Sequence, residues 1–170
     1  HDRISILKVI AISFKDKTDM AKQKPKDELQ TGRRSEGITR ISVGGFKSIA
    51  EEQSIEIKPL TILAGANSSG KSSIMQPLLL LKQTLDATYD PGALLLNGPN
   101  VQFTLVDQLL SRRKNTRTSD TFSVGVDVDS ESSVKIAFVR NKNAGKGFDI
   151  EETVYSFDKG KYRLYRGMNS

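Results

Sequence analysis

The sequence predicts an α/β fold with a mixed core sheet, one helix entered through a glycine-rich loop, and an antiparallel β meander. Three observations carry that prediction. A short continuous apolar run, Leu60 to Ala64, leads straight into Gly65 to Gly70. Beyond the glycines, Ile74, Leu78, Leu81 and Leu85 recur at the spacing of one helix face. From Phe122 onward the period switches to two: Phe122, Val124, Val126 and Val128, then Val134, Ile136 and Phe138, then Phe148 and Ile150, Val154 to Phe157, and Tyr162 to Tyr165.

Taken in order, Ile4 to Phe14 alternate weakly enough to make a strand, whereas Lys15 to Gly37 holds twelve charged residues among 23 and almost nothing to bury. Residues 1–37 therefore read as an N-terminal extension and basic linker, and 38–170 as one lobe. Ile38, Ile41 and Val43 lead into Gly44-Gly45, and Ile55 and Ile57 alternate with Glu56 and Lys58, giving two strands. Leu60 to Ala64 reads as a third, buried on both faces as in a parallel sheet. In the helix that follows, Leu79 and Leu80 make other faces apolar too, so it should be buried. Pro77 lies inside it and removes a backbone donor, which predicts a kink or an unusually short first turn. Turn signals at Asp90-Pro91-Gly92 and Asn97-Gly98-Pro99 flank Leu94 to Leu96, so short strands or a tight loop fit there. Thr104 and Asp107 have capping-box spacing, and Leu105, Leu109 and Leu110 form the apolar side of a short helix ending in Arg112, Arg113 and Lys114. The separators Ser130 to Ser133, Asn141 to Gly147 and Asp158 to Lys161 are hairpin-like turns.

Composition removes many functions. The chain has 170 residues, 36% of them hydrophobic and 27% charged, and no run approaches the roughly 18 apolar residues needed to cross a membrane. Ile4 to Phe14 is interrupted by Lys8 and Ser13 and lacks a cleavage pattern, so it is not read as a secretory signal, and a cytoplasmic location is expected. Zero cysteines and a single histidine, His1, exclude a disulfide scaffold, a thiolate or zinc site, a cysteine nucleophile and a Ser/His/Asp triad. The net charge of +6 suits a polyanionic partner as well as it suits an ordinary soluble surface.

Gly65-Ala66-Asn67-Ser68-Ser69-Gly70-Lys71-Ser72 matches the phosphate-binding pattern G-x-x-x-x-G-K-[ST]. Gly65 and Gly70 allow conformations closed to residues with a Cβ, so amides from Asn67 to Ser72 can curl around a phosphate, and the helix starting near Lys71 aims its positive end at the same anion. Lys71, the expected catalytic residue, would bridge the β and γ phosphates, and the Ser72 hydroxyl would ligate Mg²⁺. The expected nucleotide-binding set is Gly65, Ala66, Asn67, Ser68, Ser69, Gly70, Lys71, Ser72 and Ser73, with ATP and Mg²⁺ as cofactors. Chance produces this pattern in roughly one chain in a hundred of this length. Its place between an apolar run and an apolar helix is the arrangement such a loop requires.

The loop, with Ile41-Ser-Val-Gly-Gly-Phe46-Lys47-Ser48 and Ile55-Glu-Ile-Lys-Pro-Leu-Thr-Ile-Leu before it, resembles the N-terminal lobe of ABC-type ATPases of the RecF, SMC, Rad50 and OLD group. It is more similar still to bacterial AAA family ATPases of DUF3696 or AAA_15/AAA_21 type, over roughly Ile38 to Ser111. The resemblance implies that Phe46-Lys47 lies near the nucleotide, which adds Lys47 and then Ser48 to the site. It further implies ATP hydrolysis once the required elements are complete, dimerisation through the ATPase heads, and a DNA-related or antiphage-defence task with DNA as a candidate partner. A Walker B strand ending in Asp-Glu and a downstream signature motif are not found: Leu78 to Asp86 is helical, Val124 to Asp127 belongs to the meander, and Ser42-Val-Gly-Gly45 precedes the loop. The chain therefore reads as a piece ending before Walker B. Gln108 is the nearest match to a Q-loop glutamine, an ordinary surface glutamine being the plainer reading.

Other classes sharing the loop fit less well. Asn141-Lys-Asn-Ala144 lacks the aspartate that a guanine site needs, and Arg112 to Arg117 is more simply a basic surface segment than a kinase lid. That cluster is also the best place for phosphate-backbone contacts with DNA, although no aromatic residues interleave it. Two rivals stay open: a nucleotide-gated interaction module without hydrolysis, and a small-molecule kinase.

Overall fold

The computed structural model describes residues 37–67, 69–112, 119–128, 132–142, 147–157 and 160–166. The expected strand at Ile4 to Phe14, the linker before Gly37, Ser68 and the basic residues 113–117 lie outside these.

Six strands form one sheet: β1 (Arg40–Gly44), β2 (Gln53–Glu56), β3 (Thr121–Asp127), β4 (Ser133–Arg140), β5 (Phe148–Phe157) and β6 (Gly160–Tyr165). They lie in the order β2-β1-β3-β4-β5-β6, every pair antiparallel. The period-two pattern sets the register. Ile41 faces Ile55 on one side and Val126 on the other, Val43 faces Val124, Val124 faces Ile136, and Phe122 faces Phe138. A one-residue slip would turn this whole apolar set to solvent, so the pairing is strongly specified. Between the pairs Ala137–Glu152 and Phe138–Ile150, β5 carries one extra residue, Glu151, a bulge inside a strand that runs unbroken from Phe148 to Phe157, where the sequence suggested two pieces.

One helix, α1 (Lys71–Leu85), lays Ile74, Leu78, Leu80 and Leu81 into the core beside Ile41, Val43 and Phe46. Each such aliphatic side chain contributes about 1.5 to 3 kcal/mol by leaving water. The helix passes through Pro77 without a break and begins at Lys71, so the short first turn expected from that proline is not observed. Pro77 is buried, and its ring takes a place in the core in exchange for one backbone donor.

Two expectations are corrected. Leu60 to Ala64 is not a strand, and the sheet is antiparallel throughout the described residues, where a mixed sheet was expected. A doubly buried strand needs a bonded neighbour on each side, and none of the described strands pairs with this run. A local turn takes it instead: the Lys58 amide donates to Thr61 Oγ1 at 2.9 Å, and the Thr61 hydroxyl donates back to the Lys58 carbonyl at 3.3 Å. The apolar run stays open to solvent, with Leu60 79% and Ile62 77% exposed.

The segment after α1 is a compact loop held to the helix by two buried side chains, Thr84, whose Oγ1 accepts the Leu95 amide at 2.9 Å, and Gln83. Gln83, 1% exposed, donates through Nε2 to the carbonyls of Leu95 (2.5 Å) and Val101 (3.2 Å), while its Oε1 accepts the amides of Asn100 and Val101 at 3.2 and 3.0 Å. Gly98 sits so close that a Cβ there would lie 2.7 Å from the Gln83 amide carbon. The short helix expected after Thr104 is a single 3-10 turn, Val106–Gln108, and its cap differs as well. Gln108 Oε1 accepts the amides of Thr104 and Leu105 at 3.0 and 3.4 Å, so the capping acceptor is Gln108 rather than Thr104 or Asp107. Asp107 instead pairs with Arg140 at the end of β4.

Replacing Gln83 by Leu keeps its bulk and strands the Leu95 carbonyl and the amides of Asn100 and Val101, while the Val101 carbonyl keeps the Gly98 amide at 3.0 Å. The expected cost is about 2 to 3 kcal/mol in urea denaturation, because buried groups left without partners lose their full solvation. A loss below about 0.5 kcal/mol would show that water replaces the amide.

Candidate functional site

The phosphate-loop pattern places its residues where the helix begins. Gly70 is the residue before α1 and has φ 92° and ψ 4°, a left-handed conformation that glycine adopts without a steric penalty. It turns the chain so that α1 starts with its amides facing outward. The first helical backbone bond is from the Ile74 amide to the Gly70 carbonyl at 3.1 Å. The amides of Gly70, Lys71 and Ser73 have no acceptor among the described residues. No side chain caps this end and no acidic residue occupies the first turn, so the positive end of the helix is uncompensated there.

A pocket of about 320 Å³ opens at this point, lined by Lys47, Ser48, Asn67, Gly70, Lys71, Ser72 and Ser73. The structure thus brings Lys47 and Ser48, from the turn after β1, together with the loop and the helix start. Gly65, Ala66 and Ser69 form the body of the loop, where the Ser69 amide donates to the Ala66 carbonyl at 3.2 Å. Lys71 Nζ folds back onto that loop, donating to the carbonyls of Gly65 and Ala66 at 2.5 and 2.6 Å. An anion entering the pocket would exchange those neutral carbonyls for a charged acceptor, the stronger partner for an ammonium. The Ser48 and Ser73 hydroxyls lie 3.2 Å apart and fasten the β1 turn to the helix.

Lys47 is the second cation of the pocket. Its φ of 49° is left-handed, uncommon for a residue with a side chain, and its amide donates to the Leu109 carbonyl at 2.8 Å, which holds the turn in place. Its ammonium donates to Gln76 Oε1 at 2.7 Å and lies 4.6 Å from the centre of the Phe103 ring. Burial lowers its pKa from the ordinary lysine value. Gln76 and Phe103 escaped the sequence reading. The signal for Gln76 was present in the helical spacing, since a residue four beyond Ser72 lies on the same face. Phe103 lies 32 residues past Lys71, and nothing local to either position links them. Gln108, occupied in its turn, supplies no contact to this pocket. Arg112 lines a neighbouring cleft of about 570 Å³ that shares Lys47 with the pocket.

The family profile of the AAA ATPase domain (AAA_15) matches residues 37–165. The chain belongs to this family. An AAA ATPase domain is a unit for binding and hydrolysing ATP, and residues 65–73 fall inside the matched span. No curated protein shows a significant match to the chain. No helix among the described residues is long and apolar enough to cross a membrane.

Gly70→Ala tests the geometry directly. A Cβ there would stand 3.1 Å from Ser48 Oγ on a left-handed backbone, so this variant of the AAA domain should lose about 1 to 2 kcal/mol in thermal unfolding. Unchanged stability would mean that the loop relaxes to a right-handed turn at no cost.

Proposed function

We propose that this AAA ATPase domain binds Mg-ATP in the pocket at Gly65 to Ser73. The observation that carries the reading is the set of amides at residues 70, 71 and 73 without an acceptor among the described residues, opening with Lys71, Ser72 and Lys47 onto one pocket free of carboxylates among its lining residues. Such a site suits a phosphate chain: main-chain donors and a helix dipole favour negative charge, and two ammonium groups complete the shell. Lys71 leaves the carbonyls of Gly65 and Ala66 to engage the β and γ phosphates. Asn67 and the loop amides would hold the same phosphates, and Lys47 would add the second charge.

The residues fit a hard cation as well. Ser72, at the second helical position, offers a hydroxyl beside the phosphate positions, the kind of oxygen donor that Mg²⁺ takes together with phosphate oxygens and water. When bound, Mg²⁺ neutralises charge on the phosphates and orients them for transfer. The chain's own part is to bind and align them.

The finer assignment to an ABC-type head rests on the likeness of Phe46-Lys47-Ser48 and of the loop to that group. Two heads would close over the nucleotide for turnover, and the work done would be DNA-linked or defence-linked. The turn after β1, which sets Lys47 and Ser48 beside the loop, supports this assignment. The domain division expected from sequence, with residues 1–37 as an extension, belongs to the same proposal.

Calorimetric titration with ATP tests the site. Lys71→Ala should weaken Mg-ATP binding at least tenfold, since a charge-assisted contact contributes about 1.5 to 3 kcal/mol. Ser72→Ala should bind ATP with little dependence on Mg²⁺. Unchanged affinity in Lys71→Ala would sink the assignment. At about 100 times its dissociation constant, Mg-ATP should stabilise the folded chain by about 2.7 kcal/mol in thermal unfolding.

A further inference from the structure

Lys47 is a long, rotamer-rich side chain, and a free lysine would lose much conformational entropy on being fixed against a ligand. Here that ordering is present in the protein itself. Its backbone is held by the hydrogen bond its amide donates to the Leu109 carbonyl and by the neighbouring bridge between Phe46 and Ile49. Phe46 is wholly buried, so the turn has a fixed root in the core. At the other end of the side chain, Gln76 Oε1 accepts from the ammonium at 2.7 Å, and the ring of Phe103 lies 4.6 Å from it. Both supports are themselves fixed. Gln76 belongs to α1, and Phe103 is buried and packs edge-on against Phe46 with ring centres 6.4 Å apart.

The choice of partners matters as much as their placement. Lys47 forms no ion pair among the described residues, and its supports are a neutral amide and neutral rings, Phe103 at 4.6 Å and, farther off, Phe46 at 6.0 Å. A carboxylate in the place of Gln76 would neutralise the ammonium and compete with an incoming phosphate. An amide oxygen and a π face orient the cation and leave its charge unspent. Gln76 itself is absent from the pocket wall, whereas Lys47 lines it.

We propose that Gln76 and Phe103 are positioning residues that hold the Lys47 ammonium, still charged, at the wall of the nucleotide pocket. They raise affinity for the phosphate chain through Lys47 without touching the nucleotide. This inference rests on the Mg-ATP reading above. It assigns to Gln76 a task that would otherwise fall to a surface polar residue of the helix, and to Phe103 one beyond core packing.

The test is a double-mutant cycle on Mg-ATP affinity, read by calorimetry on the full chain. Gln76→Leu, which keeps bulk and removes the acceptor, should weaken binding roughly three- to tenfold, the range of one lost hydrogen bond. Lys47→Met should weaken it by at least as much. In the Lys47→Met background, Gln76→Leu should cost less than about twofold further, the non-additivity expected of groups that act as a unit. Phe103→Leu should behave like Gln76→Leu in both backgrounds, which guards against misreading a single variant. The nucleotide-free melting temperature of Gln76→Leu should match that of the parent, because a merely structural residue would move it and show no dependence on Lys47. Wild-type affinity in Gln76→Leu, or losses that add in the double variant, would overturn the proposal. Lys71→Ala separates the two levels: if Lys71→Ala weakens binding and Gln76→Leu does not, only the positioning role fails. If Lys71→Ala binds like the parent, the nucleotide reading fails and this inference goes with it.

Discussion

The burial of Phe46 is the constraint on which the rest depends. Its ring lies at the meeting point of the sheet, the loop after α1 and the turn that follows β1, against Phe103 at 6.4 Å and Phe122 at 5.5 Å. Its backbone bridges to Ile49 within the turn and to Leu110 across from it. The same turn is secured on both flanks, since the Ser111 amide donates to the Gly45 carbonyl at 2.9 Å and the Lys47 amide to Leu109. Fixing one aromatic ring therefore fixes the two residues after it, and these are the two that reach the phosphate loop. The sheet supplies no residue to the pocket directly. It supplies a platform from which Lys47 and Ser48 are held against the start of the helix.

Around that platform the electrostatics are arranged in one sense. Helix ends in water are ordinarily relieved by a side-chain cap or an acidic residue in the first turn, and α1 has neither. Two lysines stand at the same place, so the local potential is strongly positive while the acidic residues of the sheet lie elsewhere. Many of those are paired with surface cations, as Glu52 with Lys135 and Asp127 with Arg40, and such exposed pairs contribute little to stability. What they do is keep carboxylates occupied away from the helix start. The concentration of unrelieved positive charge costs some stability at the one location where an anion can offset it.

Much of this was legible from the residues alone, for reasons that are local. Strands β3 and β4 follow from period-two alternation, because one face of each is buried and the pattern records it, whereas β6, with no buried residue, followed from its aromatic residues and the turn before it. The glycine-rich turn into the helix is legible since Gly70 there takes a left-handed conformation and α1 starts at Lys71, as the pattern of glycines and apolar residues predicts. Leu60 to Ala64 misled for the opposite reason. A run of apolar residues states that burial would be favourable and says nothing about whether neighbours exist to provide it, and a threonine three residues from Lys58 was enough to close a turn instead. The cap of the 3-10 turn misled in a similar way, with Thr104 and Asp107 at the right spacing and Gln108 making the bonds. The support of Lys47 was the least legible part, since Gln76 and Phe103 meet it only through the tertiary fold.

Pro77 has a mechanical consequence. Its ring nitrogen carries no hydrogen, so the carbonyl of Ser73 has no helical donor four residues on, and the ladder of α1 is one rung short just above its first turns. Below the missing rung lie residues 71–76, whose N-terminal amides face the pocket. Above it lie Leu78, Leu80 and Leu81, seated in the core. The helix is continuous across that point all the same. The turns on either side of the missing rung are therefore held by packing, Ile74 below it and the leucines above it, rather than by an unbroken ladder.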